Sequence, residues 1–109
     1  MPSLPNYLRT NRKQFALSQE EVAFLLGMKG LDKGGKVSRD EGYSRVPTLE
    51  FALAYEAIYG KPVRELFAGL YQQVEQDVVK RAKLLRYRKR EFHPKRHETL
   101  IKLVSKLTV

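Results

Sequence analysis

The 109 residues predict an all-α fold, and three features of the chain carry that expectation. Apolar residues recur at steps of three and four along most of the length, as a buried helical face requires. Start and stop signals bracket the same stretches, with Ser18 and Thr48 ahead of two of them and Gly27 and Gly60 behind. No segment alternates apolar and polar residues well enough to form a strand, and there is no internal repeat or low-complexity tract.

The elements follow in order. Pro5 suits the first turn of a helix, and Leu4, Leu8 and Phe15, with Tyr7 beside them, keep near-helical spacing, so a first helix is expected over about 5–15. Ser18 to Glu21 spells S-x-x-E, a capping box in which hydroxyl and carboxylate each satisfy an orphan amide. Leu17 before the cap and Val22 after it are placed as a hydrophobic staple. Val22, Ala23 and Leu26 share a face, and Gly27 is suited to a left-handed close. After a glycine-rich stretch, "VSRDEG" is a short segment anchored by Val37, with Gly42 as its C-cap. Thr48 then caps a helix in which Leu49, Ala52, Leu53, Glu56 and Ala57 keep helical spacing up to Gly60. From Pro62, the series Leu66, Leu70, Val74, Val78, Ala82 and Leu85 predicts one long helix. Pro94 interrupts, and Leu100, Leu103, Val104 and Leu107 mark a final amphipathic helix.

Gly30 to Lys36 spells G-x-x-x-x-G-K, the opening of a phosphate-cradling loop. Such a loop needs a strand leading in and a Ser or Thr directly after the Lys to hold magnesium. Here the preceding segment is helical in pattern and Val37 follows Lys36, with Ser38 one place late. A nucleotide-binding enzyme is therefore not expected. Elsewhere there is no nucleophile with a base, no carboxylate pair and no cofactor loop, so the expectation is no enzyme and no cofactor.

Charge is the strongest bulk signal. Lys and Arg total 21 against 12 acids, for a net +9 and a pI near 9.9. The excess is uneven, since residues 1–68 hold 10 basic and 8 acidic residues and residues 69–109 hold 11 and 4. A basic chain with a basic tail favours an anionic polymer as partner. The chain has no cysteine, which excludes disulfides and thiolate metal sites and fits a reducing compartment. The start lacks the pattern of a signal peptide, and no apolar run approaches the roughly 20 residues needed to cross a bilayer. A cytoplasmic location with no membrane partner is expected.

The ordered set Ser18, Gln19, Ala23 and Gly27, then Ser38, Arg39 and Glu41, then Pro47, Leu49, Gly60 and Glu65-Leu66-Phe67 resembles the helix-turn-helix family of the Cro and lambda-repressor type, often called XRE. The resemblance covers about residues 4–68. It implies a five-helix, repressor-like DNA-binding domain over 4–68 and a basic helical extension over 69–109. It further implies double-stranded DNA as partner, association with the nucleoid, and a homodimer. In such domains the second helix of the motif lies in the major groove. The implied DNA-facing residues are Ser18, Gln19, Lys33, Gly35, Lys36, Ser38, Arg39, Ser44 and Arg45. Gln19 and Arg45 are expected at phosphates, and Lys36 and Arg39 at base edges. Ser18 also admits a purely capping role, and Arg39 and Glu41 admit internal ion pairing, the preferred reading for Glu41. The chain departs from the family pattern in about four extra residues between Gly27 and Val37, and in Tyr43, which stands where a Gly usually closes the recognition helix.

The tail, "VVKRAKLLRYRKREFHPKRH", mixes basic residues with Leu84, Leu85, Tyr87 and Phe92. Pairing with a second chain and phosphate contact are compatible uses of its two faces. His93 and His97 are four apart, but Pro94 lies between them and Lys95 and Arg96 repel a cation, so no metal site is expected. The leading function is sequence-specific DNA binding as a transcriptional regulator, a dimer on a two-fold operator. The rivals are an antitoxin-type protein-interaction module, with a protein partner held by residues 70–109, and a non-specific or structured-RNA-binding module.

Overall fold

The computed structural model describes residues 5–29, 34–88 and 93–106. Among these it is all-helical, with seven helices: α1 (Leu8–Gln14), α2 (Gln19–Leu25), α3 (Gly35–Glu41), α4 (Leu49–Tyr59), α5 (Val63–Leu66), α6 (Ala68–Arg86) and α7 (Pro94–Ser105). The chain divides into two compact units, Met1–Leu70 and Tyr71–Val109.

In the first unit, Leu8 of α1, Val22 and Ala23 of α2, Val37 of α3, Tyr55 of α4 and Leu66 of α5 are all fully buried in one core. Aromatic rings extend it: Tyr55 stacks on Tyr59 at 6.1 Å and meets Phe67 edge-on at 6.3 Å, and Phe15 lies 5.9 Å from Tyr59. Ala23 is buried where α2 and α3 pack, and its small side chain lets the helices approach closely. The N-terminal segment is tied down by Tyr7 N–H, which donates to the Leu66 carbonyl at 2.8 Å. Gly69 completes this seat, because a Cβ there would stand 2.9 Å from the Pro5 carbonyl oxygen.

Local chemistry sets the helix ends. Ser18 Oγ accepts from Glu21 N–H at 3.0 Å and Glu21 Oε1 accepts from Ser18 N–H at 2.8 Å, completing the capping box. Thr48 Oγ1 accepts from Phe51 N–H at the start of α4, and Gly60 ends that helix with φ of 67°. Helices α1, α2 and α3 each close in the same way. Leu17, Met28 and Ser44 donate back to Arg12, Ala23 and Arg39, while Ala16, Gly27 and Tyr43 donate to Lys13, Phe24 and Asp40. This is the Schellman arrangement, which places its penultimate residue in the left-handed region. Gly27 does so at φ 81°, but Ala16 and Tyr43 do so at 56° and 65°. The left-handed conformation costs a residue with a Cβ about 1–2 kcal/mol.

Three expectations change, and one, the C-cap of α3, holds. Helix α1 begins at Leu8, because Asn6 Oδ1 accepts from Leu8 N–H and starts the helix there. Gly42 is the C-cap of α3 as expected, with φ of −85°, and the left-handed residue is Tyr43 directly after it. On α4 the buried face is Ala52, Tyr55 and Tyr59, leaving Leu49 74% and Leu53 53% exposed. The single long helix from Pro62 is broken at Phe67, whose ring turns into the core with φ of −116° and ψ of 46°, separating α5 from α6.

The second unit buries Val79 and Ala82 of α6 and Leu100 of α7. His93 Nδ1 accepts from Arg96 N–H, so His93 caps α7, and Pro94 takes the first helical position, where its missing N–H costs nothing. Arg96 Nη2 donates to the Leu85 carbonyl at 3.3 Å, tying the start of α7 to α6. Val74 and Val78 of the expected apolar series are exposed. Leu107 lies outside the described residues, as does the Gly30–Lys33 part of the glycine-rich stretch.

Candidate nucleic-acid interface

Helix α3 is seven residues long and divides sharply. Val37, Asp40 and Glu41 are buried, and Lys36, Ser38 and Arg39 are exposed. Both acids of the helix therefore face the protein and both bases face out.

Each acid is held by other elements. Glu41 accepts from Arg12 of α1, with Nε at 2.6 Å and Nη2 at 3.2 Å, a two-pronged pairing suited to the planar guanidinium. Gln19 Nε2 of α2 donates to the same carboxylate at 3.1 Å. Arg12 Nη1 donates to the Leu17 carbonyl at 3.0 Å, so one side chain joins α1, the α1–α2 turn and α3. The hydrogen bonds it donates to Glu41 hold the Arg12 guanidinium above its ordinary pKa.

Asp40 is fully buried. Its Oδ2 accepts from the Tyr55 hydroxyl of α4 at 2.8 Å, and Asn6 Nδ2 donates to its carbonyl at 2.9 Å. Arg45 Nε lies 3.0 Å from Asp40 Oδ1, and the guanidinium carbon sits 5.7 Å from the Phe51 ring centroid. Burial pushes the Asp40 carboxyl above the usual carboxylate range, against the opposing pull of the Tyr55 hydrogen bond and Arg45. Burial, reinforced by Asp40, raises the Tyr55 hydroxyl far above its ordinary value.

These clamps decide what the sequence-predicted residues have available. Ser18 is the α2 cap. Gln19 and Arg45, expected at phosphates, each commit a side-chain nitrogen to an acid of α3. Gly35 opens α3, and the preceding Gly34 packs at the start of α2, where a Cβ would lie 3.6 Å from Gln19 Cβ. The two helix N-termini thus adjoin. Ser44 N–H and Oγ both donate to the Arg39 carbonyl, closing α3. Lys36, Ser38 and Arg39 are brought onto one exposed surface, and Lys33 lies outside the described residues.

Sequence reasoning missed Arg12, Asn6 and Tyr55 as the residues that orient α3. Tyr55 carried a usable signal, since Ala52, Tyr55 and Tyr59 keep spacings of three and four as regular as those of Leu49 and Leu53. Arg12 had none, because its partner lies 29 residues away.

Among the described residues, no group of histidines, cysteines or carboxylates is arranged to hold a metal ion. No described helix is long and apolar enough to cross a membrane. Comparison with known proteins finds no matching family model, no similar curated protein and no similar solved structure.

Proposed function

We propose that the chain is a sequence-specific DNA-binding transcriptional regulator of the Cro and lambda-repressor type, acting as a dimer in the cytoplasm on a two-fold operator. The observation that carries this reading is the division of α3, whose acids are buried and paired while Lys36 and Arg39 are exposed. A helix that turns both carboxylates inward presents only hydroxyl and cationic groups to a partner, and duplex DNA is a polyanion whose base edges accept from Arg and Lys. The basic second unit supplies the long-range attraction.

Selection of bound duplexes from a random pool is the test. A single enriched motif, preferred over random duplex by roughly a thousandfold or more, supports the reading, and an unenriched pool sinks it. Lys36→Ala and Arg39→Ala should then cost about 1–3 kcal/mol more on the selected duplex than on random DNA. Equal losses on both would make these residues phosphate contacts.

The exposed Tyr71, Val74 and Val78 of α6 favour pairing of the second unit, with a second copy in the regulator reading and with a foreign protein in the antitoxin-type reading. Sedimentation of the isolated protein separates the two: a dimer supports the first, and a monomer the second.

A further inference from the structure

Three helices of the first unit end in one backbone motif, and the residues at its left-handed position differ. Gly27 meets the requirement without a Cβ, Ala16 with the smallest one, and Tyr43 with a ring. A glycine would serve the backbone best at all three places. The bulky residue stands only at the end of α3, four residues beyond Arg39 and seven beyond Lys36. Tyr43 is 40% exposed and lies outside the core, and among the described residues its hydroxyl makes no hydrogen bond and its ring no ring contact. A conformationally costly residue that leaves part of its ring and an unbonded hydroxyl at the surface points to a use outside the fold.

We propose, resting on the DNA-binding reading above, that Tyr43 is a contact residue for the sugar–phosphate backbone of duplex DNA. A helix that enters the major groove by its N-terminal end leads its C-terminal end back toward the strand that borders the groove. There the Tyr43 ring packs on a deoxyribose and its hydroxyl donates to a phosphate oxygen. The neighbouring Ser44 Oγ is spent on closing α3 and Arg45 Nε on Asp40, whereas the Tyr43 hydroxyl makes no hydrogen bond among the described residues. The left-handed backbone is what turns the chain at this point, between α3 and the segment leading to α4.

The experiment compares wild type with Tyr43→Gly, Tyr43→Asn and Tyr43→Phe. Thermal melting is read alongside titration of the selected and a random duplex at two salt concentrations. Asn accepts the left-handed conformation and carries no ring, so it guards against a glycine-specific effect. The expected result is unchanged or raised melting temperature for the Gly and Asn variants, with affinity lowered about tenfold on both duplexes. The salt slope should stay as in wild type, because no cation is lost and no fewer counterions are released. Tyr43→Phe should recover part of the loss through its ring. Wild-type affinity in the Gly and Asn variants, or a fall in melting temperature matching the fall in affinity, overturns the proposal. A loss confined to the selected duplex also overturns it, since that marks base reading. Failure of the wild type to bind any duplex overturns the DNA-binding reading itself and this contact with it.

Discussion

Residues 5–70 and 71–106 hold their helices by different means. The first unit buries side chains from α1 to α5 in one core and adds a second layer of polar clamps around Asp40 and Glu41. The second unit buries three described apolar side chains, and among the described residues an Arg96 hydrogen bond to the Leu85 carbonyl ties α7 to α6. The charges divide the same way, with most of the excess carried by residues 69–109. The first unit therefore has the means to specify a rigid surface, and the second has the means to attract and to pair. A buried polar network fixes orientation because each member left unpaired is costly, whereas exposed apolar and cationic faces leave their geometry to a partner.

The sharpest way to break this contrast is Arg12→Ala. It strands Glu41, whose side chain is 4% exposed, as a buried charge without its main partner. Breaking such a pair costs about 3–5 kcal/mol, a large share of a small domain's stability. Urea unfolding followed through the tyrosines of the core should show the unfolding free energy falling by that amount, with a matching drop in midpoint. A change below about 1 kcal/mol would mean that the clamp behaves as a surface ion pair.

Removing the second unit tests the division of labour. A chain ending at Leu70 retains the whole first core and the Gly69 seat for Pro5, so it should fold. It should lose self-association and roughly a hundredfold or more in DNA affinity, through lost avidity, together with part of the salt slope. Sedimentation and titration at two salt concentrations check this, and unchanged values in both would assign the tail neither role.

Gly69→Ala is a smaller perturbation aimed at one contact. The added methyl meets Pro5 backbone oxygen at 2.9 Å, too close to be absorbed by a side-chain rotation. Overpacking of this kind typically costs about 1–3 kcal/mol. Hydrogen exchange at the Tyr7 amide, which donates to Leu66, should accelerate in the variant.

The smallest expected effects are in pH dependence. Burial raises Asp40 above its ordinary 3.8, so folding favours the protonated carboxyl. Its contribution is present below 3.8 and is lost as pH rises through the folded value. Wild type minus Asp40→Asn stability should therefore decline with rising pH across that window. At the alkaline end, Tyr55 is also raised, and burial pushes Tyr59 up to about 12 from 10. Their contribution is present below pH 10 and lost as pH climbs toward 12, so the first unit should lose stability on that climb. A stability curve flat from pH 9 to 12 would contradict the burial of both hydroxyls.

Helix ends governed by neighbours in sequence were legible from the chain. The Ser18–Glu21 box, the Thr48 cap and the left-handed glycines 27 and 60 each depend on groups within about one turn, so residue type at a given spacing nearly determines the outcome. The all-helical fold itself follows from such local signals and from the period of the apolar residues.

What the chain alone did not determine are the choices made between segments distant in sequence. Two apolar series compete on α4, and only the arrangement of its neighbours buries Tyr55 and leaves Leu49 outside. Phe67 interrupts a continuous helical pattern because its ring is drawn into the core beside Tyr55. Asp40 and Glu41 look like solvent-facing acids until Arg12, Gln19, Tyr55 and Arg45 converge on them. The orientation of α3, and with it the exposure of Lys36 and Arg39, was decided there, because a buried carboxylate accepts only those rotations of its helix that bring it to its partners.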